Sequence, residues 1–127
     1  MKTYTIAIID DEKDLCDTLA QGLKKAGLKT VIARNGQEGL ELIQSDRPDL
    51  ILLDISMPKM DGIEMLSKFR ETEPPGTKTP VIILTNIDDF ARMSEAIELG
   101  AVGYLQKSEW HLNDVVKKIR ETLGISA

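Results

Sequence analysis

The residues Leu50-Ile51-Leu52-Leu53 form a continuous branched apolar run that ends in a carboxylate, Asp54. A strand with one face in solvent alternates apolar and polar residues, whereas a strand covered on both faces stays apolar throughout. Two more runs of the same kind occur at residues 5–9 and 81–84. Three doubly covered strands in one short chain predict a parallel sheet with helices on both faces.

Two weaker apolar runs, at residues 29–33 and 102–105, contain more polar residues and fit the edges of that sheet. Segments with helical spacing of apolar residues lie between the five runs. Two of these segments open with a capping residue and a glutamate three positions later, namely Asn35 with Glu38 and Asp61 with Glu64. The repeated strand–helix units predict an α/β, doubly wound fold, with residues 1–127 forming a single domain.

The composition is that of an acidic globular protein, with 42% hydrophobic residues, 29% charged residues and a net charge of −5. Negative charge repels nucleic acid and anionic membranes, so we expect no direct nucleic-acid binding and no membrane contact. No apolar run approaches the ~18–20 residues of a membrane-spanning helix, and the N-terminus lacks a signal-peptide layout. The single cysteine, Cys16, and single histidine, His111, exclude a disulfide framework and a zinc cluster. A cytoplasmic location is expected.

Polar side chains stand where the predicted strands end. Asp10 and Asp11 follow the first strand, Asp54 the third, Thr85 the fourth and Lys107 the fifth. In a doubly wound sheet the carboxyl ends of the strands form the ligand site. Each residue alone could be a helix cap, a turn residue or a surface lysine. Together, the crowded carboxylates would repel one another without a cation, and Mg²⁺ suits such hard oxygen ligands.

A divalent cation, a lysine and a hydroxyl suit phosphoryl transfer, because negative charge builds up on the transferred group. The four segments that carry these residues are Asp10-Asp11, residues 52–62 (LLDISMPKMDG), Leu84-Thr85-Asn86 and residues 103–107 (GYLQK). This pattern resembles the receiver domains of two-component response regulators, and the resemblance covers nearly the whole chain. It implies a flavodoxin-like, five-stranded parallel sheet with strand order 2-1-3-4-5.

The resemblance also implies roles for the residues at the strand ends. Asp54 would accept a phosphoryl group from a sensor histidine kinase or a phosphotransfer protein, and Lys107 would pair with a phosphoryl oxygen. Mg²⁺ would be bound by Asp10, largely through water, by Asp11 and Asp54, and by the backbone carbonyl of Ser56. The chain would then be no enzyme in the metabolic sense, since it would promote only its own phosphorylation and dephosphorylation.

The resemblance further implies a conformational switch. Thr85 would move to hydrogen-bond the phosphoryl group, and Tyr104 would follow it inward, which is a shift between two populated conformations. A downstream protein partner would bind the last two helices and the strand between them. We expect the N-terminal methionine and the completed last helix to mark a stand-alone regulator.

Three positions depart from the pattern of the family. Asn86 stands where a small residue is usual. Ser108 replaces the proline that commonly forms a cis bond after the lysine, and a cis bond without proline costs roughly 2.5–4 kcal/mol. We therefore expect a trans peptide, with Ser108 capping the last helix. Ile87 cannot orient a hydrolytic water, which predicts slow autodephosphorylation.

Three other functions remain open from the sequence. A Mg²⁺-dependent phosphatase with an aspartate nucleophile would need a second aspartate two residues after the first, where this chain has Ser56. A receiver domain excised from a DNA-binding transcription regulator would show the same residues. A flavodoxin-like cofactor binder would need a glycine- and hydroxyl-rich loop after the first strand, which is missing.

Overall fold

The computed structural model describes residues 2–57, 60–74, 78–85 and 90–125. Five strands run through the centre of the fold: β1 (Thr5–Ile9), β2 (Lys29–Ala33), β3 (Leu50–Asp54), β4 (Val81–Thr85) and β5 (Ala101–Gln106). Five helices alternate with them: α1 (Lys13–Lys25), α2 (Gly36–Asp46), α3 (Gly62–Thr72), α4 (Phe90–Glu98) and α5 (Leu112–Leu123). All strand pairs are parallel, in the order β2-β1-β3-β4-β5. The predicted fold class and strand order are confirmed.

The three central strands are apolar throughout because both faces of the sheet are covered. Alternate residues of β3 point to opposite faces: Ile51 and Leu53 join one apolar cluster, whereas Leu50 and Leu52 join the other. The first cluster also contains buried residues of α2, α3 and α4, and the second contains those of α1 and α5. The predicted edge strands, β2 and β5, lie at the two edges of the sheet.

The strand order reverses between β1 and β3, and this reversal positions the polar strand ends. The chain leaves β1 toward β2 on one side and returns to pair β3 on the other side. Ile9 of β1 is in register with Leu53 of β3. Asp10 and Asp54 directly follow these two residues and therefore lie side by side, in the crevice where such sheets bind ligands.

Two of the three predicted helix caps are confirmed. The side chains of Asn35 and Asp61 accept hydrogen bonds from the amides of Glu38 and Glu64, at 2.9 and 3.0 Å. The prediction that Ser108 caps the last helix is wrong. The α5 helix begins at Leu112 after His111, because residues 107–109 form a turn that places Ser108 too far upstream of the free helix amides.

The peptide bond between Lys107 and Ser108 is trans, as predicted, and no cis peptide occurs in the described parts of the chain. Among the same residues, no helix combines the length and the apolar character needed to cross a bilayer.

Gly62 begins α3 in contact with the end of β3. A β-carbon at this position would lie 2.2 Å from the carbonyl oxygen of Asp54 and 2.7 Å from the Cα of Ile55. Both neighbours are backbone atoms and cannot rotate away. Gly62→Ala is therefore expected to lower the free energy of unfolding by about 1–3 kcal/mol and to displace the backbone beside Asp54. Urea unfolding and Mg²⁺ titration measure the two effects.

The matched control for this substitution is Gly27→Ala, in the turn before β2 at the opposite edge of the sheet. A β-carbon there meets no atom within 4 Å, although the φ of +86° makes the alanine strained. The control should lose stability but bind Mg²⁺ normally. Normal Mg²⁺ binding by Gly62→Ala would contradict the expected displacement of the backbone beside Asp54.

Candidate functional site

Three carboxylates converge at the ends of β1 and β3. Asp10, Asp11 and Asp54 each offer one oxygen, and these oxygens lie within 4.8 Å of one another. Asp10 and Asp54 are buried, whereas Asp11 is exposed. Carboxylate oxygens at a site that is open to solvent on the side of Asp11 suit Mg²⁺, which keeps part of its water shell when it binds to proteins. The chemistry of this donor set therefore fits the predicted cation.

Lys107 bridges the buried carboxylates. Its Nζ lies 2.7 Å from Asp10 Oδ2 and 3.1 Å from Asp54 Oδ2. The lysine is also anchored through its backbone, because its amide donates to the carbonyl oxygen of Thr85 at 2.8 Å. Only 7% of the lysine side chain is exposed, so the ammonium has little water to replace these contacts. The site thus holds a fixed cation between two buried anions.

Glu12 makes a third contact with this lysine, since its Oε1 lies 3.1 Å from Lys107 Nζ. We did not predict this contact from the sequence. Its only sequence signal is the position of Glu12 directly after Asp10 and Asp11 at the end of the first strand. The Glu12 side chain is 53% exposed, so solvent screens the pair and it contributes little to stability.

Burial changes the protonation of the site. The pKa of Asp54 is raised to about 6, because burial and the Asp10 charge, which raise it, outweigh the Ser56 amide and Lys107, which lower it. Burial likewise raises the pKa of Asp10, although Lys107 opposes the change. Burial alone would lower the pKa of Lys107, but its hydrogen bond to Asp10 and the Asp54 charge outweigh burial and raise it. One ammonium therefore only partly compensates two buried carboxylates.

The other predicted residues lie at different distances from this centre. Ser56 follows β3, and its amide donates to Asp54 Oδ1 at 3.0 Å. Thr85 is buried at the end of β4, next to Lys107 through the backbone bond. Tyr104 lies on β5 with 55% of its surface exposed and is not part of the site. Asn86 and Ile87 lie outside the described residues.

Two arginines reach the site loops from elsewhere, and neither was predicted. Arg34, after β2, donates to the carbonyl oxygen of Asp11 at 2.7 Å. Arg92 of α4 donates to the carbonyl oxygen of Ile55 at 2.9 Å and pairs with Asp61 at 2.8 Å. Arginine is common on protein surfaces, so its type and spacing carry no signal for such contacts.

Residues 6–120 match the family model described as response regulator receiver domain. Among sequence relatives, the response regulator MprA of Mycolicibacterium vanbaalenii is 33% identical over 118 residues, which are 93% of this chain and 49% of that protein. MprA of Mycobacterium tuberculosis is 32% identical, with 93% and 50% of the two chains covered. The chain thus spans about half the length of these relatives.

Solved structures show the same likeness. A CheY-like response regulator receiver domain protein from Methanospirillum hungatei superposes with a TM-score of 0.89 at 29% identity, covering 97% of this chain and 95% of that one. A two-component response regulator from Clostridium difficile gives 0.86 at 30% identity, with 97% of each chain covered. On the strength of the family match and these likenesses, the chain belongs to the response regulator receiver domain family.

Proposed function

We propose that this receiver domain is a phosphorylation-dependent switch in which Asp54 accepts a phosphoryl group. The donor is a sensor histidine kinase or a phosphotransfer protein, which would meet the chain in the cytoplasm. The observation that carries the proposal is the placement of the Lys107 ammonium between two buried carboxylates, 2.7 Å from Asp10 and 3.1 Å from Asp54. Fixed charge of this kind suits a transferred group whose oxygens become more negative.

Mg²⁺ would be held by Asp11, Asp54 and the carbonyl oxygen of Ser56. Asp10 would contribute largely through water, as the family resemblance implies. Its Oδ1 accepts the Glu12 amide at 2.9 Å, and its Oδ2 pairs with Lys107. When bound, the cation would neutralise charge on the phosphoryl oxygens.

In the transfer, a carboxylate oxygen of Asp54 attacks the phosphorus of the phosphohistidine. The new P–O bond forms as the P–N bond breaks, and its electron pair stays on the ring nitrogen. The imidazole leaves neutral when its other nitrogen carries the proton. Asp54 Oδ1 accepts the Ser56 amide and Oδ2 contacts Lys107, so the ammonium that contacts the attacking carboxylate would also be within reach of a phosphoryl oxygen.

The phosphoryl group would change the output surface through Thr85 and Tyr104. Thr85 would hydrogen-bond the group, and Tyr104, now 55% exposed, would move inward. Ile97 of α4 and Val102 of β5 are exposed as well, which supports a protein-binding surface on α4, β5 and α5. The net charge of −5 argues that this output does not involve direct nucleic-acid binding by this chain.

The affinity for Mg²⁺ is expected to fall as the pH drops through about 6. Burial raises the pKa of Asp54 to about 6, so below this pH a proton competes with the cation for the carboxylate. We expect little change between about pH 7 and pH 8, and roughly tenfold weaker binding for each further unit below 6. Calorimetric titration measures this dependence. A constant affinity from about pH 5 to pH 7 would contradict it.

Incubation with acetyl phosphate and Mg²⁺, followed by intact mass measurement, tests the proposed function. The wild type should gain one phosphoryl group, and it should gain none in the presence of a chelator. Asp54→Asn should gain none under either condition. We also expect the adduct to persist for minutes or longer in Mg²⁺ buffer, given Ile87. An unmodified wild type would refute phosphoryl acceptance, and an equally modified Asp54→Asn would refute the assigned acceptor.

A further inference from the structure

One side chain from α4 holds both ends of the loop that joins β3 to α3. Arg92 donates to the carbonyl oxygen of Ile55 at 2.9 Å, and its guanidinium lies 2.8 Å from Asp61 Oδ2. Ile55 directly follows Asp54, and Asp61 is the N-cap of α3. The arginine therefore spans the segment that carries Ser56, the fourth proposed ligand of the cation.

The two described partners of Arg92, Ile55 and Asp61, also close the loop locally. The carbonyl oxygen of Ile55 accepts the amide of Gly62 at 3.2 Å, and Asp61 Oδ1 accepts the amide of Glu64 at 3.0 Å. One guanidinium nitrogen, Nη2, makes both contacts, and a hydrogen bond from a charged donor is stronger than one from a neutral donor.

The ion pair itself is too exposed to explain this arrangement as a source of stability. The side chains of Arg92 and Asp61 are 28% and 41% exposed. Ion pairs in contact with water contribute roughly 0–1 kcal/mol. The bond to a backbone oxygen next to Asp54 therefore matters more for where the loop lies than for how stable the fold is.

We propose that Arg92 is a positioning residue for the Mg²⁺ site. It fixes the backbone directly after Asp54, so that this carboxylate and the Ser56 carbonyl are preset for the cation. The inference rests on the proposed function, because it assigns Arg92 a task at the cation site of that function. By reciprocity, Mg²⁺ binding would strengthen the attachment of α4 to the loop, which links the site to one of the proposed output helices.

The sign of the effect separates positioning from simple electrostatics. Arg92→Ala removes a positive charge near the proposed cation site. An electrostatic role alone would therefore make Mg²⁺ bind more tightly to this variant. Loss of a group that orients metal ligands has the opposite effect and typically weakens binding by 10–100-fold. The two roles predict changes in opposite directions.

The experiment is calorimetric titration of the full chain with MgCl₂. Arg92→Ala is expected to bind Mg²⁺ about tenfold more weakly than the wild type, and Arg92→Lys, which keeps the charge but not the planar guanidinium, should fall between them. Lys68→Ala is the charge-matched control, since this exposed α3 lysine lies 4.0 Å from Glu64. Its affinity should be unchanged or slightly higher. Equal or tighter binding by Arg92→Ala would overturn the proposal.

Amide hydrogen exchange gives a second readout that does not depend on activity. The Gly62 amide, which shares the Ile55 acceptor with Arg92, should exchange faster in Arg92→Ala than in the wild type or in Lys68→Ala. If Arg92→Ala does not fold, Arg92→Met takes its place, because methionine keeps much of the side-chain length and has no donor for the Ile55 carbonyl oxygen. Unchanged Mg²⁺ affinity in that variant would overturn the proposal.

The proposed function and the role of Arg92 fail in different ways. A wild type that binds no Mg²⁺ would overturn both the cation site and the positioning role. A wild type that binds Mg²⁺ and takes up the phosphoryl group from acetyl phosphate, while Arg92→Ala matches its affinity, would overturn the role of Arg92 alone.

Discussion

Replacing Lys107 by methionine is expected to lower the free energy of unfolding by about 3–5 kcal/mol at pH 8 without Mg²⁺. The lysine is the cation shared by Asp10 and Asp54, and methionine leaves both buried carboxylates without it. Removal of one partner from a buried ion pair is costly because the remaining charge has neither water nor a counter-ion. Urea unfolding of both proteins at the same pH measures the difference.

The loss in Lys107→Met should shrink as the pH falls to about 5. Burial already raises the pKa values of Asp10 and Asp54, and removal of the ammonium raises them further. The folded variant then binds protons that the wild type does not, so acid offsets part of the damage. Lys117→Met, which changes an exposed α5 lysine, should cost little at either pH. An equal loss for Lys107→Met at both pH values would contradict this explanation.

Replacing Asp54 by asparagine is expected to have the opposite effect and to raise the free energy of unfolding. The pKa of Asp54 is raised from 3.8 to about 6, so its ionised form destabilises the fold at any pH above 6. A shift of this size corresponds to about 3 kcal/mol, because each pKa unit is 1.36 kcal/mol. The gain should be largest near pH 8, decrease as the pH falls through 6, and vanish only below about pH 3, where Asp54 is protonated in both the folded and the unfolded state.

Saturating Mg²⁺ should make the wild type more stable than Asp54→Asn, because the cation stabilises only the protein with the complete set of carboxylates. Asp17→Asn, an exposed carboxylate on α1, is the control and should show no comparable gain. If Asp54→Asn is less stable than the wild type at pH 8 without Mg²⁺, the ion pair with Lys107 outweighs the burial of Asp54.

Local sequence patterns predicted the elements of the fold well. Residues 50–53 are buried as their unbroken apolar run indicates, and Asn35 and Asp61 cap their helices through the predicted amides. These features depend on neighbours in the chain. Ser108 shows the limit of such reasoning, because a turn of unforeseen length moved the start of α5 to Leu112.

The site was predictable in composition but not in its contacts. The strand ends indicated that Asp10, Asp54 and Lys107 would meet, but the bridging position of the lysine depends on the register between β1 and β3, which local pattern does not contain. The contact between Arg92 and Ile55 joins residues 37 positions apart through a backbone oxygen, which exists at every position and leaves no mark in the sequence.

The central claim is that Asp54 is the phosphoryl acceptor. Borohydride reduction after treatment with acetyl phosphate and Mg²⁺ tests it most directly, because an aspartyl phosphate is reduced to homoserine whereas a free carboxylate is not. Peptide mass mapping should then find homoserine at position 54, with one oxygen exchanged for two hydrogens, and an unchanged aspartate at positions 10 and 11. Homoserine at another position, or phosphorylation that survives in Asp54→Asn, would contradict the claim.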